Sequence, residues 1–268
     1  MIGEGIVYED FDVIEIKREN MGITRNEKEI KVIAEVSLKI IVNGMELVSL
    51  LCLNQYQKEL ALGFLYNEGV INAIDDIKSI DYVENMLAVV IELKEYVVID
   101  MRESLRSMTS GCGKCYTYIN PLKQRLYNIS ENDLTFSANE ILNTMNRFIK
   151  ESELYNEVGG VHSVLFATDG FQLKTEDIGR HNCFDKIAGM LLIQNKTKIA
   201  IRSIIYISGR LTSEMLMKMI RLDAPIVVSK STPTTATIRL ARQYNITLLG
   251  YVKGDYGIVY SGSHRITD

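Results

Sequence analysis

The fold is decided by residues 203–251, which read SIIYISGRLTSEMLMKMIRLDAPIVVSKSTPTTATIRLARQYNITLLGY. Three short runs in this stretch, 203–207, 225–228 and 246–251, are almost entirely apolar, and a helix-forming segment follows each of the first two. Strands that are apolar on both faces are buried on both sides, which is typical of a parallel sheet whose strands are joined by helices. The stretch therefore predicts a parallel βαβαβ unit.

The turns that follow these strands predict a ligand site, because ligands bind beyond the carboxyl ends of parallel strands. Two of the turns combine small polar residues with one cation and directly precede a helix. Their backbone amides and side-chain hydroxyls suit an anion. These two turns are Ser208-Gly209-Arg210 and Lys230-Ser231-Thr232. The third strand is followed by an aromatic pair and a lysine that could hold a heterocycle. The predicted binding stretch is Tyr251, Val252, Lys253, Gly254, Asp255 and Tyr256, with the two tyrosines as the aromatic pair. We expect a phosphate-bearing ligand at this edge.

Charge supports that location. The chain of 268 residues has a net charge of −4, which argues against a general nucleic-acid binder. Residues 202–253 nevertheless carry eight basic and two acidic side chains, a local charge of +6 that suits an anionic ligand. The sequence contains neither a Walker motif nor G-x-G-x-x-G, so ATP and NAD sites have no support.

The remaining composition indicates a cytoplasmic protein. The acidic start lacks the pattern of a signal peptide, and no apolar run approaches the roughly 18 residues that a membrane span needs. Four scattered cysteines do not form a secreted disulfide framework. We expect a reducing compartment, with no membrane or nucleic-acid partner.

The first hundred residues predict a sheet crossed by one helix. Residues 1–29 are polar and without a clear period, which predicts an irregular or partly paired arm. Two hairpins follow, at 36–53 around the turn dipeptide Asn43-Gly44 and at 77–93, with a further short strand at 96–100. The helix between the hairpins is expected to be capped by Asn54 and to end at Gly69.

The second half is expected to be an α/β domain. Pro121 predicts a short helix, and Ser137 with Glu140 forms a capping box for another. A hairpin is predicted at 161–177, and Asn182 is expected to cap the helix that runs to about residue 193. The predicted domains are residues 1–106, a mobile loop at 107–118, and residues 119–268.

Two cysteines lie close together in Ser110-Gly111-Cys112-Gly113-Lys114-Cys115. Three of these six residues are Gly or Ser, which is typical of an exposed, mobile loop. Lys114 would favour the thiolate form of Cys112 and Cys115, and thiolate is the form that attacks sulfur or binds metal. The unremarkable alternative is two cysteines that are close by chance. The exposed loop disfavours it, because uninvolved cysteines are usually buried.

Several chemistries are open to this pair of cysteines. A zinc deaminase needs His-x-Glu followed by Pro-Cys-x-x-Cys, an order that this chain lacks. Thioredoxin-like exchange needs the cysteine pair at the start of a helix that directly follows a strand. Residues 102–110, which precede the pair, are polar and do not predict such a strand. A structural zinc site could use Cys112, Cys115, His181 and Cys183. The remaining option is a thiol that carries sulfur as a persulfide on a mobile loop.

Histidines supply further candidates. Arg180 and His181 lie at a predicted strand-to-helix junction and are expected to face the loop or the ligand. His162 follows a Gly-Gly pair at a strand start and could line the same cleft. Cys52, Cys183 and His264 are interpreted as structural.

Six motifs, met in this order, make the chain resemble the FdhD/NarQ family, the formate dehydrogenase accessory sulfurtransferases. The resemblance covers about residues 35–260. The motifs are Glu59-Leu60-Ala61-Leu62-Gly63-Phe64-Leu65 with Glu68-Gly69, Ser110 to Cys115, Gly159-Gly160-Val161-His162, Asp177-Ile178-Gly179-Arg180-His181-Asn182 with Asp185-Lys186, Ser208-Gly209-Arg210, and Gly250 to Tyr256.

The resemblance implies a fold and a function. The expected fold is α/β, a cytidine-deaminase-like three-layer α/β/α core with a smaller N-terminal α+β region. The implied function is a sulfurtransferase that takes persulfide sulfur from a cysteine desulfurase and passes it to the bis-guanine-dinucleotide molybdenum cofactor before insertion into formate dehydrogenase. By position, Cys112 matches the persulfide cysteine, Cys115 its partner, and 251–256 the cofactor-binding stretch. The family also implies a homodimer. The alternative from another class is a zinc-stabilised, nucleotide-binding regulator without catalysis.

Overall fold

The structure is a computed structural model that describes residues 5–20, 22–94, 105–108, 116–119 and 134–268, the two short segments by their backbone alone. The chain begins with a hairpin of two long strands, β1 (Tyr8–Glu19) and β2 (Gly22–Ile33). They pair antiparallel along their whole length and form a sheet of their own, which we call the arm. Of the two expectations for this arm, the irregular one was therefore wrong, and the pairing is more extensive than the partial pairing that was predicted. Both faces of this ribbon are largely exposed, so its sequence lacks the alternation that a half-buried strand shows.

A four-stranded sheet and one helix follow, as the sequence predicts. The elements are β3 (Val36–Val42), β4 (Met45–Cys52), α1 (Gln57–Asn67), β5 (Ile77–Val83) and β6 (Ala88–Leu93). The strand order is β4-β3-β6-β5, with β3 and β6 parallel. Asn43 and Gly44 join β3 to β4 with φ angles of 49° and 76°, as a type I′ turn requires.

The start of α1 differs from the prediction. The residue before the helix is Tyr56, in a left-handed conformation with φ of 57°, and no side chain caps the first turn. Asn54 lies two residues too early to cap, and its Oδ1 accepts a hydrogen bond from the side chain of Gln57 instead. Gly69 follows the helix with φ of 73°, in agreement with its predicted role as a terminator.

Two short strands flank the cysteine pair. They are β7 (Leu105–Met108) and β8 (Tyr116–Ile119), which pair antiparallel with Met108 opposite Tyr116. Cys112 and Cys115, the predicted strand at 96–100 and the predicted helix at Pro121 lie outside the described residues. The proposed domain boundaries stay a prediction.

The second half contains the largest sheet. Its elements are β9 (Phe136–Ser137), α2 (Ala138–Lys150), α3 (Glu153–Glu157), β10 (His162–Thr168), β11 (Phe171–Asp177), α4 (Arg180–Ile193), β12 (Ile204–Ile207), α5 (Ser213–Arg221), β13 (Ile226–Ser229), α6 (Thr235–Gln243), β14 (Thr247–Lys253), β15 (Tyr256–Ser261) and β16 (Ile266–Thr267). The strand order in this six-stranded sheet is β11-β10-β12-β13-β14-β15. The central strands β12, β13 and β14 are parallel, which confirms the βαβαβ prediction.

Helices cover both faces of this sheet. On one face, buried side chains of α4, α5 and α6 pack against strand residues such as Phe166, Ile205 and Val227. On the other, Ile141, Met145 and Phe148 of α2 pack against the alternate strand residues. Ser137 caps α2 through the amide of Glu140, as predicted. The α/β fold class is confirmed, and the cytidine-deaminase-like layering stays a prediction.

The two sheets are connected by the crossing of α1 and α4. A Cβ atom added to Gly63 would lie 1.6 Å from the carbonyl oxygen of Asp185, and one added to Gly189 would lie 1.9 Å from that of Glu59. Neither position has room for a methyl group, because backbone meets backbone there. The family motif at 59–65 is therefore explained in part by helix packing.

Candidate functional site

The sheet topology brings the predicted ligand residues to one edge. The strands β12, β13 and β14 are parallel, so their carboxyl ends share an edge. Strand β10 runs antiparallel to β12, so its first residue, His162, lies at the same edge, as does the end of β11 before Arg180. We call this the site edge. It comprises His162, 179–181, 208–214, 229–234 and 251–256.

Backbone hydrogen bonds fix the turns of the site edge to one another. The amide of Ser208 donates to the carbonyl of Ser163 at 3.1 Å, and the amide of Lys230 donates to Ile207 at 3.1 Å. Tyr251 in turn donates its amide to Ser231 at 3.1 Å. The turns that follow β12, β13 and β14 therefore form one connected surface.

A cavity of about 180 Å³ opens between β10 and these turns. Of the residues predicted to bind ligand, Ser208, Gly209 and Lys230 line it. His162 lines it too, in agreement with the suggestion that it shares the cleft. The rest of its lining is mixed in character: Ile149, Ser152, Tyr155, Val161 and Ser163. A space of this size with one cation and several polar groups suits part of a small anionic or heterocyclic ligand.

The environment of His162 favours a neutral imidazole. Burial lowers the pKa of His162 below its ordinary value of 6.5, and the positive charge of Arg180 lowers it further. A Cβ atom added to Gly209 would lie 3.0 Å from Nδ1 of His162, closer than side-chain contacts usually come. The glycine of the Ser208-Gly209-Arg210 turn thus leaves room for the histidine ring.

His181 pairs with a residue that sequence reasoning did not identify. Its Nε2 lies 3.3 Å from Oε2 of Glu214, in the first turn of α5. Thr212, which precedes this helix, is 8% exposed, and its Oγ1 has no hydrogen-bond partner in the described part of the chain. The start of α5 is thus a polar, partly buried corner of the site edge.

The predicted cap at Asn182 is wrong, because α4 begins earlier. The residue before the helix is Gly179, and Asn182 lies within the first turn. Its Nδ2 donates at 2.8 Å to both the Leu51 carbonyl and Oδ1 of Asp177. Asn182 therefore ties the site edge to the four-stranded sheet.

A buried ion pair supports this junction. Asp177 and Lys186 are both fully buried, and Lys186 Nζ lies 2.6 Å from Asp177 Oδ2. Asp177 also accepts hydrogen bonds from the amides of Leu53 and Gly179. A second buried pair joins Asp185 to Lys218 at 2.6 Å. These contacts satisfy charges that would otherwise be costly to bury, and so give the motif residues 177–186 a structural role.

The turn at 251–256 presents a polar and aromatic surface next to the cavity, whose lining it does not join. Tyr251 and Tyr256 are 42% and 56% exposed, with ring centroids 6.1 Å apart, and Lys253 Nζ lies 4.5 Å from the Tyr251 ring centroid. Asn146 of α2 exchanges two hydrogen bonds, of 3.0 and 3.1 Å, with the backbone of Gly254. The turn is thus held firmly, with its rings open to a ligand.

The two cysteines outside the predicted loop are unsuited to thiol chemistry. Cys52 and Cys183 are both fully buried. Burial raises the pKa of Cys52 to about 12 and raises that of Cys183 as well. Cys183 Sγ donates to the carbonyl of His162 at 3.3 Å. Both agree with the structural role predicted from the sequence, and Cys183 is a poor donor for the zinc site considered above.

Fold and site together define a mixed α/β protein with a polar, anion-suited edge on its main sheet. A model of the FdhD/NarQ family matches residues 33–267, and the chain belongs to this family. Similar curated proteins are named Sulfur carrier protein FdhD. The one from Bacillus pumilus is 35% identical over 89% of this chain and 91% of its own length. That from Listeria monocytogenes is 35% identical, with coverage of 94% and 97%.

A solved structure shares the fold. It is described as a formate dehydrogenase accessory protein from Desulfotalea psychrophila, and it superposes with a TM-score of 0.76 at 22% identity. The match covers 98% of this chain and 100% of that one. Within the described residues, no helix is long and apolar enough to cross a membrane.

Proposed function

We propose that this chain is a sulfur carrier that receives sulfur as a cysteine persulfide and passes it to a molybdenum cofactor carrying guanine dinucleotides, for use by a formate dehydrogenase. The observation that carries the proposal is the contrast among the four cysteines. Cys52 and Cys183 are buried with raised pKa values, which leaves Cys112 and Cys115, in the segment between the paired strands β7 and β8. Relatives named as sulfur carriers, matched along about nine tenths of the chain, support it.

The first step is a transfer between thiols. The Cys112 thiolate attacks the terminal sulfur of a persulfide on a cysteine desulfurase. A new S–S bond forms on Cys112 as the donor's S–S bond breaks, and the donor cysteine leaves as a thiolate. Lys114, between the two cysteines, favours the thiolate that this attack needs.

The second step releases the sulfur at the level of sulfide. The thiol of Cys115 attacks the inner sulfur of the Cys112 persulfide, which forms a Cys112–Cys115 disulfide and frees hydrosulfide for the cofactor. A thiol reductant of the cell then restores both thiols. Cys115 therefore has the role of the resolving cysteine, and the chain is an enzyme in the sense of group transfer.

The cofactor is the cargo, and the site edge has the chemistry to hold its nucleotide arms. Lys230, Arg210 and the hydroxyls of Ser208, Ser231 and Thr232 suit phosphates. The rings of Tyr251 and Tyr256, with Lys253 beside them, suit a heterocycle, because an exposed aromatic face can stack on a base. Arg180 and His181 complete the polar rim.

Three further features belong to the proposal. The donor is a cysteine desulfurase, and the recipient of the loaded cofactor is formate dehydrogenase. The chain acts in the cytoplasm, where thiols stay reduced. It acts as a homodimer.

Mass spectrometry after incubation with a desulfurase and cysteine tests the proposal. The wild-type chain is expected to gain about 32 Da, the mass of one sulfur atom, in a form that dithiothreitol removes. Cys112→Ser should abolish the gain, whereas Cys115→Ser should keep it and make it longer-lived. Cys52→Ser and Cys183→Ser serve as matched controls and should keep the wild-type gain. A gain that survives Cys112→Ser and Cys115→Ser together contradicts the proposal.

A further inference from the structure

The first turn of α5 holds a carboxylate in surroundings that otherwise suit anions. Glu214 is the only acidic residue in the turns that follow β12 and β13, residues 208–214 and 229–234, which also carry Arg210 and Lys230. A carboxylate repels the phosphates that these cations attract. A glutamate at a helix N-terminus favours the helix without being buried, yet the side chain of Glu214 is only 20% exposed. Glu214 therefore suits a ligand group that donates hydrogen bonds.

The surroundings of Glu214 leave hydrogen-bonding capacity unused. Its Oε2 lies 3.3 Å from Nε2 of His181, but neither atom has a hydrogen bond of acceptable geometry to the part of the chain that the structure describes. Its other oxygen, Oε1, makes no hydrogen bond or ion pair with the described residues. Thr212, directly before α5, is 8% exposed, and its Oγ1 does not cap the helix. Buried polar atoms usually have partners, so we expect an outside group to supply them here.

This corner adjoins the cavity of the site edge. Gly209, in the turn that leads to Thr212, lines the cavity beside His162. Besides burial and Arg180, the charge of His181 lowers the pKa of His162, so His181 lies near the same ring. A ligand with a phosphate at Lys230 in the cavity can therefore present another of its groups to Glu214.

We propose that Glu214 and Thr212 recognise the guanine base of one nucleotide arm of the cofactor, an inference that rests on the proposed function. The carboxylate accepts hydrogen bonds from N1–H and from the 2-amino group, the two donors on the Watson–Crick edge of guanine. The Thr212 hydroxyl donates to O6, the acceptor beside them. His181, in contact with Oε2, is a positioning residue that keeps the carboxylate in place.

This recognition separates guanine from a base of the same shape. Xanthine has an oxygen where guanine has the 2-amino group, so the carboxylate of Glu214 faces a second acceptor and binds this base poorly. A glutamine side chain at this position donates an N–H to that oxygen, while its own oxygen still accepts from N1–H. The substitution Glu214→Gln should therefore reverse the preference, a gain that loss of folding does not produce.

Equilibrium dialysis of the full chain with GDP and with xanthosine diphosphate (XDP) tests the inference. The wild type is expected to bind GDP at least about tenfold more tightly than XDP, because a hydrogen bond to a charged group is lost in the second case. Glu214→Gln should weaken GDP binding at least about tenfold and bind XDP the more tightly of the two. Thr212→Val should weaken both nucleotides alike, by about three- to tenfold, since O6 is common to both bases.

Asp223→Asn provides the matched control, because it removes the same charge just beyond the opposite end of α5 and should leave both affinities unchanged. Circular dichroism checks that each variant is folded. A wild-type preference in Glu214→Gln, or a wild type that binds GDP and XDP equally, overturns the inference while the nucleotide site stands. Unchanged affinities in Thr212→Val remove that residue from the inference. A wild type that binds neither nucleotide overturns the cofactor site of the proposed function, and the inference with it.

Discussion

At the scale of single residues, burial affects the charge state of one side chain of the site edge, His162. This residue lines the cavity, and burial and Arg180 both oppose its protonation. A neutral imidazole can accept a hydrogen bond from a ligand or donate one to it, whereas Lys230 in the same cavity supplies the positive charge. The two residues therefore divide hydrogen bonding and charge between them.

The lowered pKa of His162 predicts a particular pH dependence of stability. The unfolded chain binds a proton near pH 6.5, whereas the folded chain resists it, so His162 disfavours the folded state increasingly as pH falls through this value. We expect His162→Asn to lose less stability than the wild type between pH 7.5 and about pH 5. Urea unfolding at a series of pH values measures this loss of stability, and a variant of the exposed His264, His264→Asn, serves as the control. If the free energy of unfolding changes with pH equally in the wild type and in His162→Asn, the lowered pKa of His162 is contradicted.

Some residues of the site could be predicted from sequence and others could not. Ser208, Gly209 and Lys230 follow apolar strands of a parallel sheet, so the topology alone places them at one edge. Glu214 gave no such indication, because a carboxylate in a first helical turn looks like an ordinary surface group. Asp177 was named within a family motif, but the sequence did not show that it is buried in an ion pair. Their partners, His181 and Lys186, are distant in sequence or on another element, and only the fold brings them within reach.

At the scale of elements, the close crossing of α1 and α4 joins the four-stranded sheet to the main one. The expected caps and the terminating Gly69 placed both helices to within a few residues. These signals did not identify the glycines as crossing points, because Gly within a helix usually indicates only lower stability. The contact requires the backbones of the two helices to approach each other closely. A single sequence does not show which helices meet.

The crossing predicts a large effect of adding one methyl group. Gly63→Ala would place Cβ 1.6 Å from a backbone oxygen that cannot rotate away, so the helices must separate. We expect a loss of about 3 kcal/mol or more in the free energy of unfolding, measured in urea. Gly44→Ala is the control: nothing lies within 4 Å of its added Cβ, and only the positive φ opposes it, at a cost of about 1 kcal/mol. Equal losses in the two variants would show that α1 and α4 do not meet this closely.

The arm shows where periodicity fails. A half-buried strand alternates apolar and polar residues because one face meets the core, and the hairpins at 36–53 and 77–93 were predicted on that basis. The arm meets no core along most of its length, so charged and apolar residues occur on both faces. Its pairing follows from backbone register, which the residue pattern does not reveal.

At the scale of the whole molecule, the chain combines a sheet edge suited to phosphates and aromatic stacking with a cysteine pair between β7 and β8. The charge distribution agrees with a sheet edge suited to phosphates, since a chain of net charge −4 has a local net charge of +6 in residues 202–253. That basic segment forms most of the site edge. A protein organised in this way can hold a large anionic cofactor while a separate thiol delivers sulfur to it.

The most direct test follows one sulfur atom from donor to cofactor. The chain is loaded with radiolabelled sulfur by a desulfurase, freed of the donor, and then mixed with the guanine-dinucleotide molybdenum cofactor. The account predicts that label leaves the wild-type chain and appears in the cofactor fraction. It also predicts that Lys230→Ala slows this transfer at least about tenfold while loading stays normal, whereas Lys198→Ala, before β12 at the opposite edge of the sheet, leaves both unchanged. Label that stays on the chain in the presence of the cofactor, or that transfers equally well from Lys230→Ala, would contradict it.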